Sequence, residues 1–309
     1  MPAPRLRFAM PLALAALIAL LAAGCGGSAG AGSTASGKLN VVAAEDFWGS
    51  IAQQLGGREV EVTSVISNPA ADPHDYEPTA EDARRFAGAQ VSIVNGIGYD
   101  EWASRLLAAS PETSRIELNV GDVLGLRDGD NPHQWYSPSS VKRAIAAIAA
   151  AYKQADPGHA AYFDAQRKRF ETVGLARYHE LIGRIRSGYG GAPVGASESI
   201  FEPLAPALGL RLLTPPGFMD GIAEGAEPTP ADKASAERQL AEREIDLWVY
   251  NSQNATPDVQ RLKESARAAG IPIAAVTETP TPEGASFQAW MSRQLEGVLT
   301  ALSEGGAGS

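Results

Sequence analysis

The chain has 309 residues, 44% hydrophobic and 20% charged, which is enough for one large or two medium folded domains. Its formal net charge of -10 argues against a nucleic-acid-binding protein, which needs a basic face. With one cysteine, Cys25, it can form no disulfide within itself.

Arg5 and Arg7 precede an apolar run from Phe8 to Ala23, interrupted only by Pro11 and ending at Gly24-Cys25. Residues 1–24 therefore read as a secretory signal peptide, too short for a comfortable membrane span. The small residues before Cys25 resemble a bacterial lipobox, with Ala22 where Leu is usual, so Cys25 is the expected site of lipid attachment. Gly26 to Gly37 is rich in Gly, Ala, Ser and Thr, and residues 25–37 read as a lipidated cysteine and flexible tether. Residues 1–24 hold two arginines and no acids, so the mature chain is formally -12.

Beyond the tether the apolar pattern alternates. Strands are predicted at Lys38–Ala44, Val60–Ile66, Gln90–Asn95 and Arg115–Val120, with helices after each. Glu45 and Asp46 can cap the first helix, Thr79–Ala87 is the second, and Ser137-Pro138 opens a long alanine-rich one. An acidic, glycine-rich loop is expected from Gly121 to Asp130. From His159 to about Ser187 one helical pattern continues through Gly174 and Gly183, long enough to span roughly 40 Å. The alternation then resumes, with strands at Ala192–Ala196, Leu210–Leu213, Ile245–Tyr250 and Ile271–Thr277. Helices are expected at Ser199–Leu208, Asp232–Arg243, Pro257–Ala269 and Ser286–Leu302, and a loop from Thr214 to Pro230. The reading is an α/β chain of two lobes, each a mainly parallel sheet covered by helices, joined by one long rigid helix. Residues 38–156 make the N-terminal lobe, 157–188 the linking helix and 189–309 the C-terminal lobe.

Ligands of open parallel sheets sit at the C-terminal ends of the strands. Four polar positions fall there. His74 lies in Asp72-Pro73-His74-Asp75-Tyr76-Glu77-Pro78, and His133 in Asn131-Pro132-His133-Gln134-Trp135. Glu198 follows Ser197, and Glu278 closes Val276-Thr277-Glu278. The chain has 4 histidines and two sit in Pro-His loops, whose prolines restrict the backbone. Two imidazoles and two carboxylates form a plausible shell for a divalent transition ion. The competing reading makes Glu198 and Glu278 helix caps and the histidines ordinary loop residues. His159 and His179, on the long helix, read as structural or solvated.

The two Pro-His motifs, Asp156-Pro157 before the long helix, Trp248-Val249-Tyr250-Asn251-Ser252-Gln253 and the run from Gly270 to Glu278 carry a resemblance. Over about residues 38–302 the chain resembles the metal-binding solute-binding lipoproteins of ABC importers, the cluster A-I family of zinc and manganese binders. The resemblance implies metal ligands at His74, His133, Glu198 and, as a longer stand-in for the usual Asp, Glu278. It implies one Mn²⁺ or Zn²⁺ as transported ligand, no enzymatic activity and an extracytoplasmic chain anchored to the cell membrane through Cys25. The partners implied are an ABC permease and a separate ATPase, since the chain has neither a Walker A loop nor a Rossmann glycine set. A monomer is expected. The alternatives are a secreted metal-dependent hydrolase, a bilobal binder of a metal chelate or siderophore, and an adhesin with a structural metal.

Overall fold

β1 (Leu39–Glu45) is buried along nearly its whole length, as a central strand covered on both faces must be. It is followed by α1 (Asp46–Gly56), β2 (Val60–Ile66), α2 (Ala80–Ala87), β3 (Val91–Val94), α3 (Glu101–Ala109), β4 (Ile116–Asn119), the short α4 (Val120–Leu124) and α5 (Pro138–Ala155). This computed structural model describes residues 1, 37–69, 76–254 and 256–305. Residues 2–24 of the expected signal peptide, Cys25 and His74 lie outside the described residues.

The first sheet has four strands in the order β2-β1-β3-β4, all parallel. After α5 come α6 (Ala160–Arg169), a π-helical turn (Phe170–Gly174) and α7 (Ala176–Tyr189). The expected long helix is therefore present with a widened turn inside it. At Gly174 an added Cβ would stand 2.7 Å from the Phe170 ring, so glycine is what lets that ring fold back over the turn. The second half then builds β5 (Pro193–Ala196), α8 (Ala205–Leu208), β6 (Arg211–Leu212), α9 (Pro216–Ala223), α10 (Pro230–Ala241), β7 (Leu247–Asn251), α11 (Pro257–Ala268), β8 (Ile273–Val276) and α12 (Phe287–Glu304). Its sheet is parallel in the order β6-β5-β7-β8, the same pattern as the first.

Four local expectations change. The loop after β4 begins with α4, capped by the Asn119 side chain, and the Thr214–Pro230 stretch contains α9. The helix expected over Ser199–Leu208 is broken into a 3-10 turn (Ser199–Phe201) and α8, because Pro206 has no amide hydrogen to continue a long ladder. Glu45 occupies the N-cap position of α1 without a side-chain cap.

Packing and hydrogen bonds besides the long helix hold the lobes together. One apolar cluster runs unbroken from Phe47 and Trp48 of α1 through Trp135, Tyr136 and Tyr178 to Phe201 and Trp290. On its edge, Gln54 of α1 and Gln288 of α12 exchange hydrogen bonds of 2.8 and 2.6 Å, and the Phe287 amide donates to Ser50 Oγ at 2.8 Å.

Candidate metal centre

In each sheet the strand order reverses between the first and third strands, β1 and β3 or β5 and β7. The loops leaving these strands part to opposite sides and open a crevice. On the first sheet the crevice is bordered by Glu45, at the end of β1, and by the turn Gly96-Ile97-Gly98 after β3. On the second it is bordered by Ser197-Glu198 and by the loop from Asn251 to Asn254. His133 and Glu278 arrive from the loops after β4 and β8.

The turn at 96–98 has three successive positive φ values, 71°, 61° and 77°. Glycine adopts these freely, but the β-branched Ile97 does so at a cost of roughly 1–3 kcal/mol. Asp100 holds the turn in place: its carboxylate accepts the Asn95 amide at 2.6 Å and the Gly96 amide at 2.8 Å. The Asn95 side chain in turn donates to the Pro132 carbonyl at 3.1 Å, tying β3 to the second Pro-His loop. Tyr99 emerges from the turn and donates its hydroxyl hydrogen to Glu278 Oε1 at 3.0 Å, across to the second sheet. Burial, followed by the charges of Glu278 and Glu45, pushes the Tyr99 hydroxyl well up, so it remains a donor.

His133 is 1% exposed, with Trp135 edge-on to its ring at 5.3 Å. Its tautomer is set by Asn131. The Asn131 Nδ2 group faces two acceptors, the Ser199 carbonyl at 2.8 Å and Glu202 Oε2 at 2.9 Å, so Oδ1 must be the atom turned toward His133. Asn131 Oδ1 lies 3.0 Å from both the His133 amide and His133 Nδ1. Nδ1 therefore carries a hydrogen, and Nε2 points the other way, to within 3.4 Å of Glu278 Oε1. A histidine held through one nitrogen and presenting the other is the usual arrangement behind a metal ligand.

Glu278 is 6% exposed, and its amide donates to Gln253 Oε1 at 2.6 Å. Glu198 is 2% exposed, and its two oxygens accept from Asn251 Nδ2 at 2.6 Å and Asn254 Nδ2 at 2.8 Å. Neither glutamate serves as a helix cap. Glu198 precedes a 3-10 turn without a side-chain cap bond, and the last helix is capped by Ser286 instead. Tyr136 donates its hydroxyl hydrogen to the Thr277 carbonyl or to Gln294 Oε1, both at 2.8 Å, and burial first, with the charges of Glu198 and Glu278 among the lesser causes, pushes it well up.

The structure thus brings His133 and Glu278 together, and Glu198 is held by Asn251 and Asn254. Among the described residues no three His, Cys, Asp or Glu side chains form a group that could hold a metal ion. The fourth predicted ligand, His74, lies outside them. Trp135 stands beside His133, stacked on Phe47 at 3.8 Å. Trp48 is instead a core residue donating to Asn95 Oδ1 at 2.9 Å, and Trp102 packs with Tyr76 and Phe86 in a separate cluster on the first lobe. Sequence reasoning passed over Tyr99, Asn131, Gln253 and Asn254 as working parts, although Asn131, Asn251 and Gln253 all stood inside the motifs it singled out. It also read Glu45 as a cap. Glu45 is instead fully buried, and burial together with the charge of Asp100 raises its carboxyl well above the usual range, while burial lifts Asp100 to about 6.

A family model described as "ZnuA: Zinc-uptake complex component A periplasmic" matches residues 41–301. The chain is 26% identical over 330 aligned positions to the metal ABC transporter substrate-binding lipoprotein FimA of Streptococcus parasanguinis, covering 94% of this chain and 98% of that one. It is 29% identical to the manganese-binding lipoprotein MntA of Halalkalibacterium halodurans over 157 residues, a match spanning about half of each chain (50% and 52%). In fold it resembles a Mn-bound periplasmic metal binding protein from Candidatus Liberibacter asiaticus, with a TM-score of 0.72 at 18% identity over 86% of this chain and 100% of the other. Because the family model runs over nearly the whole of both lobes, the chain belongs to the ZnuA family of zinc-uptake complex components.

Proposed function

We propose that this chain captures a divalent transition-metal ion, Mn²⁺ or Zn²⁺, outside the cytoplasm and delivers it to an ABC permease driven by a separate ATPase. It is a substrate-binding component and not an enzyme, in keeping with its family and with the importer lipoproteins it resembles. The observation that carries the reading is the His133 arrangement: Asn131 accepts from Nδ1 and aims Nε2 at the Glu278 carboxylate, 3.4 Å away. His74, His133, Glu198 and Glu278 are the proposed ligands, and Cys25 the proposed lipid anchor of a monomeric chain whose lobes are residues 38–156 and 189–309.

Two carboxylates and two imidazoles balance a +2 charge and suit a borderline-hard ion such as Mn²⁺. Zn²⁺ competes for the same set, because the ordinary affinity order places it above Mn²⁺. The chain carries manganese- and zinc-named relatives alike, and the ion is decided by measurement. The test is elemental analysis of the mature chain with competitive Mn²⁺ and Zn²⁺ titration, repeated on His133→Ala and Glu198→Ala. Each variant is expected to lose at least about 100-fold in affinity, or about 2.7 kcal/mol. Unchanged affinity in a folded variant removes that residue from the ligand set.

A further inference from the structure

The segment Asn251 to Asn254 supplies three amide side chains, and all three act on the proposed carboxylate ligands. Asn251, at the end of β7, is fully buried and donates to one oxygen of Glu198 at 2.6 Å; Asn254 donates to the other at 2.8 Å. Each of these amides is itself anchored. The Asn251 backbone amide donates to Ser197 Oγ at 3.0 Å, and its side-chain oxygen accepts the Gln253 amide at 3.0 Å. The second hydrogen of the Asn254 amide goes to the Ile222 carbonyl on α9 at 3.0 Å. Gln253 holds the other ligand from behind: its Oε1 accepts the Glu278 amide at 2.6 Å and the Thr279 amide at 3.0 Å, while its Nε2 donates to Thr279 Oγ1 at 2.7 Å.

We propose that Asn251 and Asn254 are positioning residues that set metal selectivity by holding both oxygens of the Glu198 carboxylate in place, with Gln253 fixing the Glu278 turn. The inference rests on the reading of Glu198 as a ligand of the captured ion. A carboxylate free to rotate offers one oxygen or two, as the ion prefers, and affinity then follows the intrinsic order that puts Zn²⁺ above Mn²⁺. A carboxylate tied at both oxygens to anchored amides, one of them fully buried, cannot re-aim without breaking a hydrogen bond, and on the Asn251 side no water can replace it. It presents one fixed geometry to every ion. That penalises zinc, which favours four ligands, more than an ion that accepts a higher coordination number.

The experiment measures Mn²⁺ and Zn²⁺ dissociation constants by competition for the mature wild-type chain, Asn254→Ala and Asn254→Gln, with melting of each metal-free chain as the folding control. Asn254 is the first choice because its side chain is half-buried; Asn251→Ala repeats the test from the fully buried side. In Asn254→Ala, Mn²⁺ affinity is expected to fall 10- to 100-fold, the usual range for loss of a ligand's supporting hydrogen bond. Zn²⁺ affinity should fall at least several-fold less, moving selectivity toward zinc, and Asn254→Gln, which keeps the amide, should restore part of the wild-type ratio. An equal loss for both ions overturns the proposal, since it marks a purely structural role, and so does no change in either. If the wild-type chain binds neither ion, the capture function itself fails and the proposal with it. Wild-type binding with an unaltered ratio in the folded variants sinks the positioning role alone.

Discussion

Asn131 offers a direct test of how the site is prepared. Replacing it with alanine removes the oxygen that lies 3.0 Å from both His133 Nδ1 and the His133 amide, and the amide that reaches Ser199 and Glu202 in the other lobe. Without that acceptor the hydrogen on Nδ1 loses the oxygen 3.0 Å away that favours it there. The population with a hydrogen on Nε2, which cannot bind a cation through that atom, then grows, and the ring loses its fixed angle. Deleting such a supporting partner lowers metal affinity about 10- to 100-fold, which corresponds to about 1.4–2.7 kcal/mol. Asn131→Asp separates the two effects. It keeps an oxygen for His133 but turns a second one toward the Ser199 carbonyl and the Glu202 carboxylate, so it should preserve the tautomer while weakening the contact between lobes. The assay is competitive metal titration together with nitrogen-15 NMR of the histidine ring in the metal-free chain. Affinity within twofold of wild type in Asn131→Ala, with Nδ1 still protonated, refutes the reasoning.

Three further outcomes follow from the same structure. Burial pushes the Asp46 carboxyl from 3.8 up to about 8, against the pull of its own amide and that of Phe47, so the folded chain holds a proton there that the unfolded chain gives up. The contribution of this group to stability is therefore complete below about pH 4 and lost as the pH rises toward 8, by at most about 1.4 kcal/mol per pH unit. Asp46→Asn should flatten the fall in melting temperature over that window and gain most at pH 8; an identical pH slope in both chains counts against it. Arg115 is buried and donates to the carbonyls of Phe86, Leu107 and Ser110, so Arg115→Met should cost about 3 kcal/mol in urea denaturation through the acceptors left behind, and a loss under about 1 kcal/mol shows that they find other partners. The apolar cluster shared between the lobes and the Gln54–Gln288 pair should limit any closure on metal binding, so solution scattering is expected to give nearly equal radii of gyration for metal-free and loaded chains. A wide change would mean that the shared core comes apart on binding.

Much of the architecture was legible because it depends on short-range pattern. Apolar runs bounded by Gly and Pro marked all eight strands, and their alternation with helices implied parallel sheets, since only a crossover can return the chain to the same edge. Less local features were missed. The π turn at Phe170–Gly174 depends on how one ring packs against a glycine, and β6 shrinks to two residues because pairing, not propensity, decides its length. At the site, His133, Glu198 and Glu278 were singled out from their place at strand ends, and they are proposed as ligands. The roles of Tyr99 and Asn131 could not be found that way, because their partners are 179 and 68 residues distant.

What the amino-acid order determined by itself was a chain of two repeated α/β halves, with His133, Glu198 and Glu278 in the loops that follow strands. That much follows from periodicity, turn residues and side-chain chemistry, which act over a few neighbours. Only the tertiary structure decided which nitrogen of His133 is presented, that Glu198 is tied through both oxygens, and that neither glutamate is spent as a cap. Those outcomes depend on which donors and acceptors meet in a space closed to water, where each buried polar group must find a partner that the chain supplies from a distance.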